Sequence, residues 1–384
     1  MSAPLVVPLV DEGLGNSSYL VDLGDGRALV VDASVDLRSV RTATGRTGLK
    51  IAYAGDTHLH ADFLSGARQL ATADGATVLA SASGNRQFPH TGLVDGQEVD
   101  LGGLRLTALV TPGHTMEHVS FLLSDGERPM GVFTGGSLLV GAAARTDLVD
   151  PDRTEELARA QYQSLQRLMS LPDDVEVWPT HGAGSFCSAP PGAERTSTIG
   201  RERATNPLLQ TAGEDQFVKR LLGTLGTFPE YFLRLPEINR RGPRVYGAAP
   251  LPPAVLVSEV EALRESGAQL IDVRPVPDYA SGHLTGAMSI PLRAAFATWL
   301  GWVVSPDSPV VIVRGKEQDP TEIAWQAAKV GYTLAGELTS LPEARVAPRP
   351  PARPARSAWK GGRRCTSFSP RSAGSGRSPA AAAL

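Results

Sequence analysis

The stretch Thr57-His58-Leu59-His60-Ala61-Asp62-Phe63 places two imidazoles and a carboxylate within five positions. Two related segments follow it, Thr111-Pro112-Gly113-His114-Thr115 and Pro179-Thr180-His181-Gly182-Ala183-Gly184. The first two follow predicted β-strands, so their side chains can meet at one edge of a sheet. A single histidine at a strand end is usually solvated or bonded to the backbone. Three such segments in this order instead indicate a metal site.

The sequence around these segments alternates between short β-runs and helical apolar spacing. Strands are predicted at 19–23, 28–32, 49–54, 104–111, 118–123 and 130–133, and helices at 62–71 and 154–170. The turn Gly24-Asp25-Gly26-Arg27 between the first two strands predicts a hairpin. We therefore expect a mixed α/β domain over residues 1–240, with largely antiparallel sheets.

A second unit follows a linker that is rich in proline and glycine at 241–253. Residues 254–340 contain the apolar strands LIDV and VVIV between helix-like segments, which predicts a second α/β domain. Residues 341–384 hold seven prolines and eight arginines without periodicity, and we expect a disordered tail. A frameshift or truncation that removed a further domain, and a basic tail for an acidic partner, are two alternative interpretations of this segment.

Composition and charge exclude several classes of protein. The 384 residues are 42% hydrophobic with only two cysteines, enough for about two domains and too few thiols for a disulfide scaffold. The whole chain has a net charge of −3. The tail carries +8, so residues 1–340 carry −11. An acidic core disfavours nucleic-acid binding. The chain has neither a long apolar stretch nor a signal peptide, so we expect no membrane association and a cytoplasmic location.

The longer motifs resemble the metallo-β-lactamase fold, and within it the persulfide (sulfur) dioxygenase branch and its fusions to rhodanese domains. The motifs that carry this resemblance are THLHADFLSGARQLA (57–71), TPGHTMEHVSFLL (111–123), VFTGGSLLVGAAARTDL (132–148) and PTHGAGSFCS (179–188). The resemblance implies an αββα sandwich with one non-haem Fe(II) per chain, bound by two histidines and a carboxylate. By motif position the two imidazole ligands are His58 and His114.

The carboxylate implied by the resemblance is missing, because Gly136 stands where the branch has aspartate. The site then needs a substitute, for which His60, Asp62 or water are the candidates. Phe63 also replaces a histidine of the two-metal hydrolases, so Asp62 and His181 are the only remaining members of a second metal site. A mononuclear zinc site of His58, His60 and His114 is the alternative, since three histidines and a water form a catalytic zinc site.

Three further residues are candidate catalytic residues. Arg145 and Asp147 match a substrate-side loop of the family, where an arginine can bind a carboxylate of a glutathione- or CoA-type persulfide. A structural pair that holds the loop is the alternative for these two residues. Cys187 lies near the last metal motif and is a candidate for carrying sulfane sulfur, with a buried inert thiol as its alternative. His118 is expected to support the site from behind the ligands.

The second unit resembles the rhodanese fold through LIDVRPVPDYASGHLTGAMSIPL (270–292). An active rhodanese carries the transferred sulfur on a cysteine in the loop after its central strand. Here that loop reads Arg314-Gly315-Lys316-Glu317, without cysteine. We therefore expect no sulfur transfer from this domain.

Three functions are compatible with these observations. The first is an iron-dependent oxidoreductase of sulfur metabolism, which uses dioxygen to convert a small-molecule thiol persulfide to sulfite. The second is a mononuclear zinc thioesterase of the glyoxalase II (hydroxyacylglutathione hydrolase) type, and the third is a binding protein without turnover. The fold class commonly associates, so a homo-oligomer is compatible with each of them.

Overall fold

The computed structural model describes residues 6–187 and 194–339. The predicted tail at 341–384 lies outside the described residues. Within them the chain forms three β-sheets, two of six strands and one of four strands.

The first sheet contains the strands in chain order. They are β1 (Val6–Asp11), β2 (Asn16–Asp22), β3 (Arg27–Val31), β4 (Lys50–Asp56), β5 (Thr77–Ser81) and β6 (Thr91–Leu93). β1, β2 and β3 pair antiparallel, whereas the three pairs from β3 to β6 are parallel. The expectation of largely antiparallel sheets is therefore wrong for this sheet. Helices α1 (Arg38–Thr47) and α2 (Ala67–Asp74) cross over between its strands, and such crossovers make neighbouring strands parallel.

The predicted hairpin joins β2 to β3, with Tyr19 opposite Val31. Its turn holds Gly24 and Gly26 at φ values of 82° and 84°, a left-handed region that glycine enters without steric cost.

The second sheet is antiparallel except for one pair. Its strands are β7 (Glu98–Asp100), β8 (Leu104–Val110), β9 (Val119–Asp125), β10 (Arg128–Gly135), β11 (Glu176–Pro179) and β12 (Ser197–Thr198). β10 and β11 are parallel because helix α3 (Thr154–Leu168) lies between them in the chain. The domain is completed by α4 (Ile199–Thr205), α5 (Glu214–Leu222) and α6 (Leu235–Arg241).

The two sheets pack face to face, with helices on both outer surfaces. Tyr19 and Val31 of the first sheet share one buried cluster with Phe121 and Phe133 of the second. Leu70 of α2 belongs to a cluster on the outer face of the first sheet, and α3 and α5 contribute to a cluster on the outer face of the second. This arrangement confirms the αββα sandwich.

The second domain is built around a parallel sheet with strand order β14-β13-β15-β16. The strands are β13 (Gln269–Asp272), β14 (Met288–Ser289), β15 (Val310–Val313) and β16 (Leu334–Leu338), and the helices are α7 (Val257–Glu265), α8 (Val276–Ser281), α9 (Phe296–Val303) and α10 (Pro320–Lys329). The apolar segments LIDV and VVIV form the two central strands, as predicted.

The two domains share a continuous apolar core. Phe63 and Tyr231 of the first domain lie in one buried cluster with Phe296 and Leu300 of α9. The backbone N–H of Leu64 also donates to the carbonyl of Lys329 at 2.7 Å. The loop that carries the first histidine motif therefore contacts the second domain directly.

Candidate metal centre

Three buried imidazoles converge where strands of the two sheets end. His58 follows β4, His114 follows β8 and His181 follows β11. Each is at most 1% exposed, and one ring nitrogen from each lies within 4.8 Å of one from the others. The Nε2 atoms of His58 and His181 are 3.4 Å apart.

Hydrogen bonds orient the three rings. His114 Nδ1 donates to the Arg145 carbonyl at 2.7 Å, and His181 Nδ1 lies 3.1 Å from Asn16 Oδ1. His58 Nδ1 donates to Thr57 Oγ1 at 2.9 Å, because that hydroxyl gives its own hydrogen to a carboxylate. Nε2 of each ring is therefore the atom turned toward the centre of the cluster.

Burial keeps two of these histidines neutral. It lowers the pKa of His58 well below its ordinary value, and the imidazoles around it add to this effect. Burial and the nearby His181 lower the pKa of His114 to about 3. Burial also disfavours the charged form of His181, but the sulfur of Cys187 and the carboxylate of Asp62 outweigh it and raise the pKa of His181 above its ordinary value.

His60 lies beside His58, with their ring centroids 4.2 Å apart, and its Nδ1 is buried without a hydrogen-bond partner. Its Nε2 donates to Asp32 Oδ1 at 3.2 Å and lies 4.0 Å from an oxygen of Asp56, and its ring stacks on Phe63 at 4.1 Å. Within the described residues, His60 shares a potential metal-binding group with these two aspartates and not with His58 and His114. The alternative zinc set of His58, His60 and His114 is therefore not brought together.

Asp62 lies on the other side of His181. Its Oδ2 accepts from Asn16 at 2.7 Å and is 3.2 Å from His181 Nδ1, while its Oδ1 is buried without a hydrogen-bond partner. Burial alone would raise the pKa of the Asp62 carboxyl. His181 and the Asn16 amide have the larger, opposite effect, so the pKa is lowered to about 2. Asp62, His181 and the free thiol of Cys187 form a second group with ligand atoms within 4.8 Å.

Gly136 directly follows β10 and faces His114. Its N–H donates to His118 Nε2 at 3.0 Å, and His118 Nδ1 bonds to Thr111 Oγ1 at 2.9 Å. Both nitrogens of His118 are thus occupied, so this histidine supports the site without being free to bind a metal. Gln161 of α3 accepts from the backbone N–H of His114 at 2.8 Å and donates to the carbonyl of Ser137.

The guanidinium of Arg145 is fully engaged by the protein. It forms two hydrogen bonds with the Asp147 carboxylate at 2.7 and 2.8 Å and donates to the carbonyls of Phe186 and Gly226. It also lies 4.5 Å above the ring of Phe228 and is only 1% exposed. These contacts favour the structural alternative for the Arg145–Asp147 pair over a role in binding substrate.

Sequence reasoning did not identify Asp32. This buried residue has a φ of 53° and accepts hydrogen bonds from the backbone and hydroxyl of Thr57 and from the hydroxyl of Thr180. Thr57 and Thr180 precede His58 and His181, so one carboxylate ties together two of the motifs. The signal was present, because Asp32 follows an apolar strand in the same way as the histidine motifs.

The loop after β15 in the second domain is closed by its own side chains. Arg314 pairs with Glu337 at 2.9 Å, and Gln318 accepts from the N–H of Gly315 and donates to the carbonyl of Val273. Residues 254–339 contain no cysteine.

Comparison with known proteins agrees with this architecture. Residues 11–181 match the Metallo-beta-lactamase superfamily, and residues 256–339 match the Rhodanese-like domain. A hydroxyacylglutathione hydrolase of Gloeobacter violaceus is 32% identical over 225 residues, which cover 52% of this chain and 84% of that protein. The chain belongs to the metallo-beta-lactamase superfamily. Its second domain is rhodanese-like.

Two further similarities are informative. The persulfide dioxygenase ETHE1 of Homo sapiens is 32% identical over 181 residues, 46% of this chain and 63% of that protein, which is less than two thirds of its length. The crystal structure of a metallo-beta-lactamase from Staphylococcus aureus superposes with a TM-score of 0.77 at 28% identity, covering 88% of this chain and 99% of the other. That structure covers both domains described here.

Among the described residues, no helix is long and apolar enough to cross a membrane.

Proposed function

We propose that this chain is a metal-dependent persulfide dioxygenase, which oxidises a glutathione- or CoA-type persulfide in the cytoplasm. The observation that carries the proposal is the buried pair of His58 and His114, whose Nε2 atoms face one point and whose Nδ1 atoms are held by the protein. The similarity to a human persulfide dioxygenase supports the choice of substrate. The net reaction RSSH + O₂ + H₂O → RSH + SO₃²⁻ + 2 H⁺ balances in atoms and charge.

The donor atoms fit a divalent first-row metal. Imidazole nitrogens are ligands for iron and zinc alike, and His58 and His114 are kept neutral by burial, as metal binding requires. Asp62, 3.2 Å from His181, and His60, whose ring lies 4.2 Å from that of His58, each keep one buried side-chain atom without a hydrogen-bond partner, Asp62 Oδ1 and His60 Nδ1, which is typical of a centre that accommodates a further group. When bound, Fe(II) would supply the redox chemistry and open coordination positions for dioxygen and the persulfide thiolate.

The protein holds the ligands rigidly. Asp32 bonds Thr57 and Thr180, the residues before two of the histidines, and Gln161 bonds the backbone of the third. Glu117 accepts from the N–H of Leu59 at 2.7 Å, which ties the first histidine loop to the second. These contacts fix ring orientation, so that the geometry needs little adjustment when a metal binds.

A two-metal hydrolase is disfavoured by two residues. Phe63 is buried and stacks on His60, so it fills a ligand position of the two-metal enzymes with an apolar ring. Gly136 has no side-chain carboxylate to bridge two ions. A mononuclear zinc thioesterase is the second candidate, favoured by the neutral imidazole ligands and by the similarity to hydroxyacylglutathione hydrolases.

The test compares two substrates on the same preparations. Protein loaded with Fe(II) or Zn(II) is assayed for oxygen uptake on glutathione persulfide and for hydrolysis of S-lactoylglutathione. We expect persulfide-dependent oxygen uptake with iron, lost in His58→Ala and kept in the matched control His90→Ala, which removes a histidine outside the cluster. Thioester hydrolysis with zinc and no oxygen uptake would establish the second candidate. The absence of bound metal and of both activities would contradict both catalytic proposals and leave the binding protein as the remaining hypothesis.

A further inference from the structure

The missing carboxylate leaves the metal centre one protein ligand short. We propose that His181 supplies that ligand, so that a single metal ion is bound by His58, His114 and His181. The inference rests on the proposed function only in requiring a metal at this centre, and it does not depend on which reaction the metal supports.

The distance between two of the ligand atoms carries the inference. The Nε2 atoms of His58 and His181 are 3.4 Å apart. Two nitrogens that bind one tetrahedral zinc at about 2.05 Å are separated by roughly 3.3 Å. The separation in the protein thus matches that of two ligands of one ion. The third ring is close enough to complete the set, since all three ligand atoms lie within 4.8 Å of one another.

The orientation of the rings points in the same direction. Asn16 Oδ1 and Asp62 Oδ2 are both acceptors and both face His181 Nδ1, so this nitrogen carries the hydrogen. Nε2 of His181 is then the donor atom available to a metal. Asp62, which is anionic and buried, lies behind the ring, as the carboxylates behind metal-binding histidines do.

Gly136 permits this arrangement in addition to lacking a ligand. A Cβ atom at this position would lie 2.2 Å from Cδ2 and 2.9 Å from Nε2 of His114. The ring of His114 therefore uses space that any side chain at position 136 would take. A glycine at position 136 therefore has two consequences: it removes the carboxylate, and it leaves room for the His114 ring in the three-histidine arrangement.

The other candidates for the third ligand are less suitable. His60 donates its Nε2 hydrogen to Asp32 and keeps Nδ1 without a hydrogen-bond partner, but within the described residues it is grouped with Asp32 and Asp56 and not with His58 and His114. Cys187 lies with Asp62 and His181 and is not grouped with His58 or His114 within the described residues. Neither residue therefore completes the set around His58 and His114.

The test is a titration of metal-free protein with Zn(II) and Co(II), read out as affinity, as metal content after desalting and as the absorption spectrum of the cobalt form. The variants are His181→Ala, His181→Gln and His60→Ala, with His90→Ala as matched control. We expect both His181 variants to bind at least about tenfold more weakly and to lose the cobalt spectrum of the native protein, while His60→Ala and His90→Ala retain it. Wild-type affinity and spectrum in both His181 variants, or loss of the spectrum in His60→Ala alone, would overturn the proposal.

Two features keep this result interpretable. The near-ultraviolet circular dichroism of each variant reports whether it is folded, and His181→Gln retains a polar side chain where the alanine variant leaves a cavity. Zinc and cobalt binding need no oxygen chemistry. Loss of binding in the His181 variants therefore supports the ligand set even if the wild type shows no persulfide oxidation. Conversely, normal metal binding by those variants contradicts the ligand set even if the wild type takes up oxygen.

Discussion

The ring of His114 lies in the space that a side chain at Gly136 would fill, with its Cδ2 atom 2.2 Å from the position of a Cβ at that residue. Both residues are buried, and their backbones are linked through Gln161. The two positions are therefore coupled, and a change at one must displace the other.

Gly136→Ala is expected to weaken Zn(II) binding at least about tenfold and to lower the free energy of unfolding by about 1–3 kcal/mol, because the added methyl group overpacks the site. Urea unfolding and zinc titration measure the two effects. The matched control is Gly45→Ala in α1, where an added Cβ contacts nothing within 4 Å and should stabilise the helix by about 0.5–1 kcal/mol. An alanine at position 136 with native stability and native affinity would contradict the coupling.

Asp32 is expected to make the protein sensitive to acid. Burial raises its pKa, but His60 and the hydrogen bonds of Thr57 and Thr180 outweigh burial and lower the pKa below its ordinary value. A carboxyl group whose pKa is lower in the folded state stabilises the protein fully when the pH is above its pKa in the unfolded state, about 3.9. This stabilisation is lost as the pH falls through the pKa of the folded state. Asp32→Asn should cost about 3 kcal/mol at pH 7 and progressively less below pH 4.

The pH dependence of urea unfolding tests this expectation between pH 7 and pH 3. Asp25→Asn is the control, because Asp25 is an exposed partner of Arg27 and its removal should change the free energy of unfolding little. If the difference between wild type and Asp32→Asn is the same at both pH values, Asp32 does not contribute through its charge.

The junction of the domains depends on a glycine. A Cβ on Gly301 of α9 would lie 2.1 Å from Cε1 of Tyr231, a buried residue of the shared core. We expect wild-type protein to unfold in one cooperative transition. Gly301→Ala should unfold in two, because the added methyl group prevents α9 of the second domain from packing against Tyr231 of the first. Differential scanning calorimetry measures the transitions. A single transition at the wild-type temperature in Gly301→Ala would show that the junction tolerates the methyl group.

The second domain is expected to lack sulfurtransferase activity. Its loop after β15 has no cysteine, and the two groups there that could bind an anion are already occupied, because the Gly315 N–H donates to Gln318 and the Arg314 guanidinium pairs with Glu337. An assay of thiosulfate-dependent thiocyanate formation checks this directly. The control is the variant with Cys187→Ser and Cys365→Ser, which has no thiol, and activity that persists in it would show that the domain transfers sulfur by another route.

The resemblance of the motifs to known families implied the αββα sandwich and the rhodanese-like domain, whereas the local patterns alone predicted only mixed α/β domains. His58, His114 and His181 lie two to four residues after the ends of β4, β8 and β11, so their convergence follows from the packing of two sheets. The start of α2 was predicted five residues too early, since residues 62–66 form a loop in which Ser65 bonds to Asp56 and Asn239.

The roles of individual side chains depended on contacts that are distant in sequence. His60 is drawn to Asp32, 28 positions away, and Arg145 to the carbonyl of Gly226, 81 positions away. Neither partner lies in the same motif, so spacing alone could not separate a ligand from a structural residue.

The number of metal ions per chain decides whether these imidazoles form a single metal centre. Inductively coupled plasma mass spectrometry on protein reconstituted with Fe(II), and separately with Zn(II), and then desalted gives this number. We expect one ion per chain in the wild type and in His60→Ala, and none in His58→Ala or His114→Ala. Two ions per chain, or one ion that persists without His58 and His114, would contradict a single centre on these imidazoles.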